Sequence, residues 1–318
     1  MNKAFRCKRS ITQTFKSFKG HCKSLSKTRR FIPTATSPDD EPLQIPATNS
    51  LSKTIKRKSV QVQSQLLELG QENLEERMQS SVAMPANPPY RLSTLIAELV
   101  PQGRSALLFE LVRSSPSMTC DQLAALAKQY VALGADALVV RIDSEDTPEG
   151  LKDLWTVSRA VKVPVLARDY LIHPLQVVEI KESGAAGALG VIGQVNGRGT
   201  AVLSSFAAAL GLDAPVEVIN LLEVEGLAKA GVVFYGINIS VGISIAIPGF
   251  SADLAHGILG HLPFGAISLV GVRSLEEARK AKLSGADSLL IKSEMIAQHQ
   301  DSLHAMSMQL QYLVTGDD

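Results

Sequence analysis

ALGADAL at 132–138, ESGAAGAL at 182–189, KAGVVFYG at 229–236 and LSGADSL at 283–289 repeat one local event. In each, a helical run ends, a glycine follows, and an apolar strand begins. Gly134, Gly184, Gly231 and Gly285 stand where a helix terminus needs a residue that tolerates the left-handed conformation. Working outward from these junctions, apolar stretches of strand length fall at 106–113, 137–143, 164–171, 186–195, 215–220, 233–239, 266–272 and 288–293. They are short and largely apolar, as strands buried on both faces should be. Segments of helical period lie between them. The clearest is TCDQLAALAKQYVAL at 119–133, with Leu123, Leu126, Ala127 and Tyr130 on one face and Thr119 or Asp121 near its start. Strand followed by crossover helix, eight times in about 210 residues, predicts an α/β fold, a closed TIM (βα)8 barrel. An open doubly wound sheet is the alternative, but no dinucleotide fingerprint follows the first strand.

Upstream of the barrel the composition changes twice. Residues 1–60 carry fourteen Lys/Arg against three acids, whereas the remainder carries eighteen against twenty-eight. The body is therefore acidic and offers no general attraction for nucleic acid. Through Pro38 the chain holds ten Lys/Arg, ten Ser/Thr and no acid, the composition of an organelle transit peptide. A basic tail binding RNA or an anionic surface is the competing reading. The expected organisation is a disordered basic leader and linker over 1–59, a short helical N-terminal extension over 60–104 and the barrel over 105–318. The KTIKRK cluster at 53–58 falls in the linker, QVQSQLLELGQENLEERMQ at 61–79 reads as one helix weakened by Gly70, and 91–100 reads as another. Cys7 and Cys22 lie in the leader, which leaves Cys120 alone in the body and suits a reducing compartment. The expected location is the plastid stroma, with the mitochondrial matrix second. No apolar run reaches the roughly 20 residues needed to span a bilayer.

Function in a barrel is read at the C-terminal ends of its strands. The first strand and its loop read ALLFELVRSSPSM from Ala106, and the third reads VPVLARDYLIHP from Val163. With APVEVIN at 214–220 and YGINIS at 235–240, in that order and at barrel spacing, they resemble the indole-3-glycerol phosphate synthase family over about 91–313. That family's first strand is close to IAE-x-K-x-x-SPS and its third to PVL-x-KDF.

The resemblance implies ring closure and decarboxylation of 1-(2-carboxyphenylamino)-1-deoxyribulose 5-phosphate, a phosphorylated anthranilate-type metabolite, with no metal or organic cofactor. It implies catalytic roles for Glu110, Arg168, Glu217 and Asn238. Glu110 orients substrate, Arg168 occupies the place of the general-acid lysine, Glu217 that of the general base, and Asn238 that of the asparagine in GINNRDL. It implies substrate-binding roles for Ser115, Ser117, Gly271, Lys292 and Ser293.

The departures lie in the chemistry. Val112 stands where the family has a lysine that contacts phosphate, and Arg113 should point to the opposite side of the strand. Arg168 remains protonated at any accessible pH, so it binds anions well and donates protons poorly. An ion pair with Glu217 or Asp169 is its structural alternative. Ser240 replaces an arginine, Leu269 and Val270 replace Glu-Ser, and Lys292 replaces a glycine whose amide cradles phosphate. The expectation is a catalytically degenerate synthase-like barrel acting as a binding, assembly or regulatory protein with a protein partner in the organelle. The alternatives are an active synthase with a rearranged site, or an enzyme of changed specificity. No histidine arrangement suggests a metal, His173 flanks the cleft, and the glycine-rich loop at 193–199 lies on the active face.

Overall fold

The computed structural model describes residues 50–143, 149–197, 199–239 and 252–315. The leader through 49, and Ser240 with the residues that follow it to 251, lie outside the described residues. Nine strand segments form one parallel sheet: β1 (Ala106–Leu111), β2 (Ala137–Arg141), β3 (Val165–Arg168), β4 (Gly187–Leu189), β5 (Val191–Ile192), β6 (Val216–Glu217), β7 (Phe234–Ile237), β8 (Ile267–Val272) and β9 (Ser288–Ile291). Their order is β4-β3-β2-β1-β9-β8-β7-β6-β5. The two ends of that order, β4 and β5, are separated in the chain only by Gly190. They are two halves of one strand, so the sheet closes on itself as an eight-stranded barrel. Gly190 has φ 118°, and a Cβ there would lie 1.7 Å from the Asp169 carbonyl oxygen. Only glycine lets the strand bend between its two neighbours at this point.

Helices α1 (Ser50–Leu69), α2 (Gln71–Ala83) and α3 (Arg91–Leu99) precede the barrel. The stretch expected as linker is thus helical from Ser50. The helix expected at 61–79 is two helices parted at Gly70, whose φ of 75° a helix cannot continue through. Around the barrel run α4 (Cys120–Ala132), α5 (Gly150–Ala160), α6 (Pro174–Glu182), the short α7 (Gly193–Asn196), α8 (Gly199–Ala209), α9 (Leu221–Lys229), α10 (Ala252–Gly260), α11 (Leu275–Leu283), α12 (Ser293–Gln298) and α13 (Leu303–Thr315). Thr119 starts α4 through a capping box with Gln122. Among the described residues no helix is long and apolar enough to cross a membrane.

Alternation along the strands creates two apolar layers. Leu107, Phe109, Leu138, Val140, Tyr235 and Val270 face outward into the helices. Leu108, Val139, Leu166, Leu189, Leu269 and Leu290 fill the barrel, and Leu92 and Ile96 of α3 pack against them. A distant carboxylate anchors that helix: Asp213 accepts the N–H groups of Leu92 (2.8 Å) and Ser93 (3.2 Å) at its first turn. Burial pushes the Asp213 carboxyl up to about 6.

Candidate active site at the barrel mouth

The residues that fill the barrel also decide which side chains meet at its mouth. Ala106 and Leu108 point inward, so Glu110 does too; by the same alternation Leu166 brings in Arg168, Val139 brings in Arg141, and Leu290 brings in Lys292. Glu110, Arg168, Glu217 and Lys292 are all buried, directly above an apolar plug that offers them no partners. Unpaired charge in such a place is costly, so the pairing pattern is informative.

Arg168 donates one arm to Glu110 Oε1 and the other to the carbonyl oxygen of Ile239 at 3.0 Å. Its hydrogen-bonded carboxylate is Glu110, and the charge of Glu217 also acts on it. The second Glu110 oxygen accepts the backbone N–H of Ser293 at 2.9 Å, and Arg141 stands 3.9 Å from the carboxylate. Burial alone would raise the Glu110 carboxyl, but Arg168, Arg141 and the Ser293 N–H together hold it below its ordinary range. Burial opposes the Arg168 cation, and Glu110 with Glu217 raises it nonetheless.

Across the mouth, Asn238 sits at the end of β7 with φ 55° and donates its amide N–H to the Gly271 carbonyl at 2.9 Å. The absence of a side chain at Gly271 makes room for two neighbours. A Cβ there would lie 2.2 Å from the Asn238 carbonyl oxygen and 2.8 Å from Lys292 Cε. The Lys292 stem thus lies along Gly271, on the side of the strand that faces into the barrel. Lys292 is fully buried, and its Nζ and the Asn238 Oδ1 have no hydrogen-bond partner among the described residues. Burial, with Arg168 and Arg273 nearby, lowers the Lys292 ammonium to about 8 against the opposing pull of Glu217 and Glu110.

Not every expected site residue reaches this cluster. Ser115 and Ser117 are exposed on the loop after β1 and hydrogen-bond each other at 2.9 Å. Arg113 faces outward, where it is held by Asp153 at 2.7 Å. Val270 also faces outward, so of the two apolar replacements on β8 only Leu269 changes the interior. His173 caps α6, accepting the Leu175 N–H at 3.1 Å. Of the glycine-rich loop, Asn196 turns back to donate to the Leu171 carbonyl at 2.9 Å. Among the described residues no group of three or more His, Cys, Asp or Glu stands close enough to hold a metal ion.

The sequence reading missed the cations of α1. Lys58 is buried and bridges Asp169 (2.6 Å) at the end of β3 and Asp143 (3.2 Å) beyond β2, while Arg57 pairs with Asp143 at 2.8 Å. Gln176 braces the same corner, donating to Asp169 at 3.4 Å and to the Tyr170 carbonyl at 2.9 Å. Burial raises the Asp169 carboxyl even with Lys58 against it. KTIKRK is therefore a clamp between the N-terminal helix and the rim of the mouth.

Comparison with known proteins settles the ancestry that this geometry suggests. The family model described as indole-3-glycerol phosphate synthase matches residues 51–308. The chain belongs to the indole-3-glycerol phosphate synthase family. The match starts on α1, so the clamp helix lies within the family's extent. An indole-3-glycerol phosphate synthase of Opitutus terrae is 30% identical over 204 residues, covering 60% of this chain and 75% of the relative. That of Lacticaseibacillus casei is 26% identical over 240 residues, covering 72% and 88%. Among solved structures, a tryptophan synthase chain from M. tuberculosis aligns with a TM-score of 0.51 at 16% identity, over 70% of this chain and 98% of that one. That likeness concerns the barrel alone.

Proposed function

We propose that this member of the family no longer closes the indole ring and that its barrel serves as a binding, assembly or regulatory protein. The observation that carries this reading is that Arg168, Glu110 and the Ser293 amide at the mouth are committed to one another and to the backbone. Arg168, in the place of the general acid, is locked onto Glu110 and the Ile239 carbonyl. The Ser293 N–H, in the place of a phosphate donor, is given to Glu110. The Lys292 stem runs along Gly271, on the other glycine-lined wall of the phosphate cradle. Val112 supplies neither charge nor proton. Loss of a general acid alone removes about 10² to 10⁴ in rate.

The composition of the leader supports import into a plastid, or failing that a mitochondrion, where a protein partner would be met. Targeting is read by fusing residues 1–59 to a fluorescent protein. The activity is read by the fluorescence of indole-3-glycerol phosphate formed by the full chain, beside the double variant V112K/R168K. No turnover by the unmodified protein is the expected result. Turnover would overturn the proposal and make Arg168, Glu217 and Lys292 the groups of a rearranged but working synthase.

A further inference from the structure

Arg141 ends β2 with Val140 and Ile142 turned outward on either side of it, so its side chain enters the mouth level with Arg168. The fold treats the two arginines differently. Arg168 spends its arms on Glu110 and the Ile239 carbonyl, and its side chain is 9% exposed. Arg141 is 26% exposed, stands 3.9 Å from Glu110 and makes no hydrogen bond among the described residues. Glu110 already accepts from Arg168 and the Ser293 N–H, and Asp143, the next acid on this edge, is taken by Arg57 and Lys58. The fork of donors on Arg141 is therefore unspent. Tyr170 lies beside it. Ala167 and Leu171 pack outward, and the N–H groups of Asp169 and Leu171 bond to the closing strand, so Tyr170 is turned inward. Its hydroxyl has no hydrogen bond among the described residues, and burial raises the phenol, which keeps it a donor. Val112, Arg141, Tyr170 and Asn238 are half-buried, whereas Glu110, Arg168, Glu217 and Lys292 are buried. Solvent thus reaches the mouth at the first four.

We infer that Arg141 and Tyr170 form a binding site for the carboxylate or phosphate group of a small metabolite. A guanidinium offers two parallel N–H donors to two oxygens of one anion, and the Tyr170 hydroxyl supplies a further donor. Charge favours the same occupant. Among the described residues the inward cations Arg141, Arg168 and Lys292 outnumber the inward carboxylates Glu110 and Glu217. The register of β1 on β2 carries Val112 next to Arg141, which gives the carbon frame of the ligand an apolar wall. This site is on the wall of β2 and β3. The phosphate place implied by the resemblance, at Gly271, Lys292 and Ser293, is on β8 and at the end of β9, with β1 between the two walls.

The inference rests on the binding role proposed above and names the chemistry of its ligand, and the two fail separately. Turnover of the synthase substrate would end that role and leave the Arg141 site to be measured. The test is calorimetric titration of the full chain with inorganic phosphate and with benzoate, at pH 7 and low salt. Saturable binding of at least one anion is the expected result, and the anion that binds tells a phosphate group from a carboxylate. Arg141→Leu should weaken it about tenfold or more, since hydrogen bonds to a charged group are lost. Lys292→Met removes an equal charge from the other wall and should weaken it less. No saturable binding of either anion overturns the inference. So does a loss in Lys292→Met that equals or exceeds the loss in Arg141→Leu, because the anion then sits against β8 and β9. Tyr170→Phe removes a single oxygen and keeps the test decisive if the arginine variant folds poorly. A severalfold loss of affinity is expected there, and an affinity equal to wild type overturns the site.

Discussion

Two residues at the mouth carry opposite lessons about buried charge. Arg168 spends its donors on Glu110 and a backbone carbonyl, so its burial is compensated but its chemistry is confined. Lys292 has no such partner, and the fold therefore prefers it neutral. That preference has a definite sign in stability. The folded ammonium lies near 8, below its ordinary value of about 10.4, so between these limits the unfolded chain binds more protons than the folded one. Stability should rise as pH climbs from 8 towards 10.5, and the burden should be complete below 8. The full amount is about 3 kcal/mol. Denaturant unfolding of wild type and Lys292→Met across pH 7–10.5 reads it directly, with the advantage of the methionine variant shrinking as pH rises. Parallel curves would mean that Lys292 is solvated or paired in the native protein.

At the scale of elements, α1 is held to the rim of the barrel by charge. Lys58 sits between Asp143 and Asp169 with almost no exposure to water. Replacing it with methionine keeps the packing of the stem and leaves Asp169 buried against one cation fewer. Breaking one side of a buried pair in this way costs about 3–5 kcal/mol. Lys58→Met should accordingly lower the midpoint of denaturant unfolding and raise hydrogen exchange over α1 more than over β1. An unchanged α1 would show that its apolar contacts suffice. This element also marks the limit of what the sequence discloses. Barrel strands were legible because short apolar runs alternate with helical segments, four of them following a helix-ending glycine, and Glu110, Arg168 and Lys292 were legible because period-two alternation fixes which side chains face inward. Lys58 belongs to a run of cations on a polar helix, and nothing local says that its partner is an aspartate from the third strand of the barrel. Arg141 escaped notice for a related reason. Nothing in ALVVR tells whether the terminal arginine reaches solvent or, as here, leans towards Glu110. Glu110 was missing from the partners expected for Arg168, since the register that sets the two side by side passes through β2.

For the molecule as a whole, the decisive requirement is closure. A parallel sheet becomes a barrel only if one strand can serve as both its first and last member, and here that strand is β4 and β5 with Gly190 between them. Asp169 donates its N–H to the Leu189 carbonyl and Leu171 donates to that of Gly190, so the bend is stitched to the end of β3 on either side. Those bonds press the Asp169 carbonyl against the Cα of Gly190 and leave no space for a methyl group. They also connect closure to the site, since the same turn carries Arg168 into the mouth and Asp169 to Lys58. Gly190→Ala should therefore act globally. Its Cβ would meet backbone that cannot swing aside, at a φ that alanine rarely adopts, and a loss of about 4 kcal/mol or more follows from strain and clash together. Calorimetry should show a large fall in the unfolding temperature or no cooperative transition, with α1 released as the Asp169 turn shifts. A melting temperature within a few degrees of wild type would mean that the strand closes the barrel by another path. Lys292→Met, at the opposite wall, should leave the transition cooperative, which separates a residue that closes the barrel from one that only occupies its mouth.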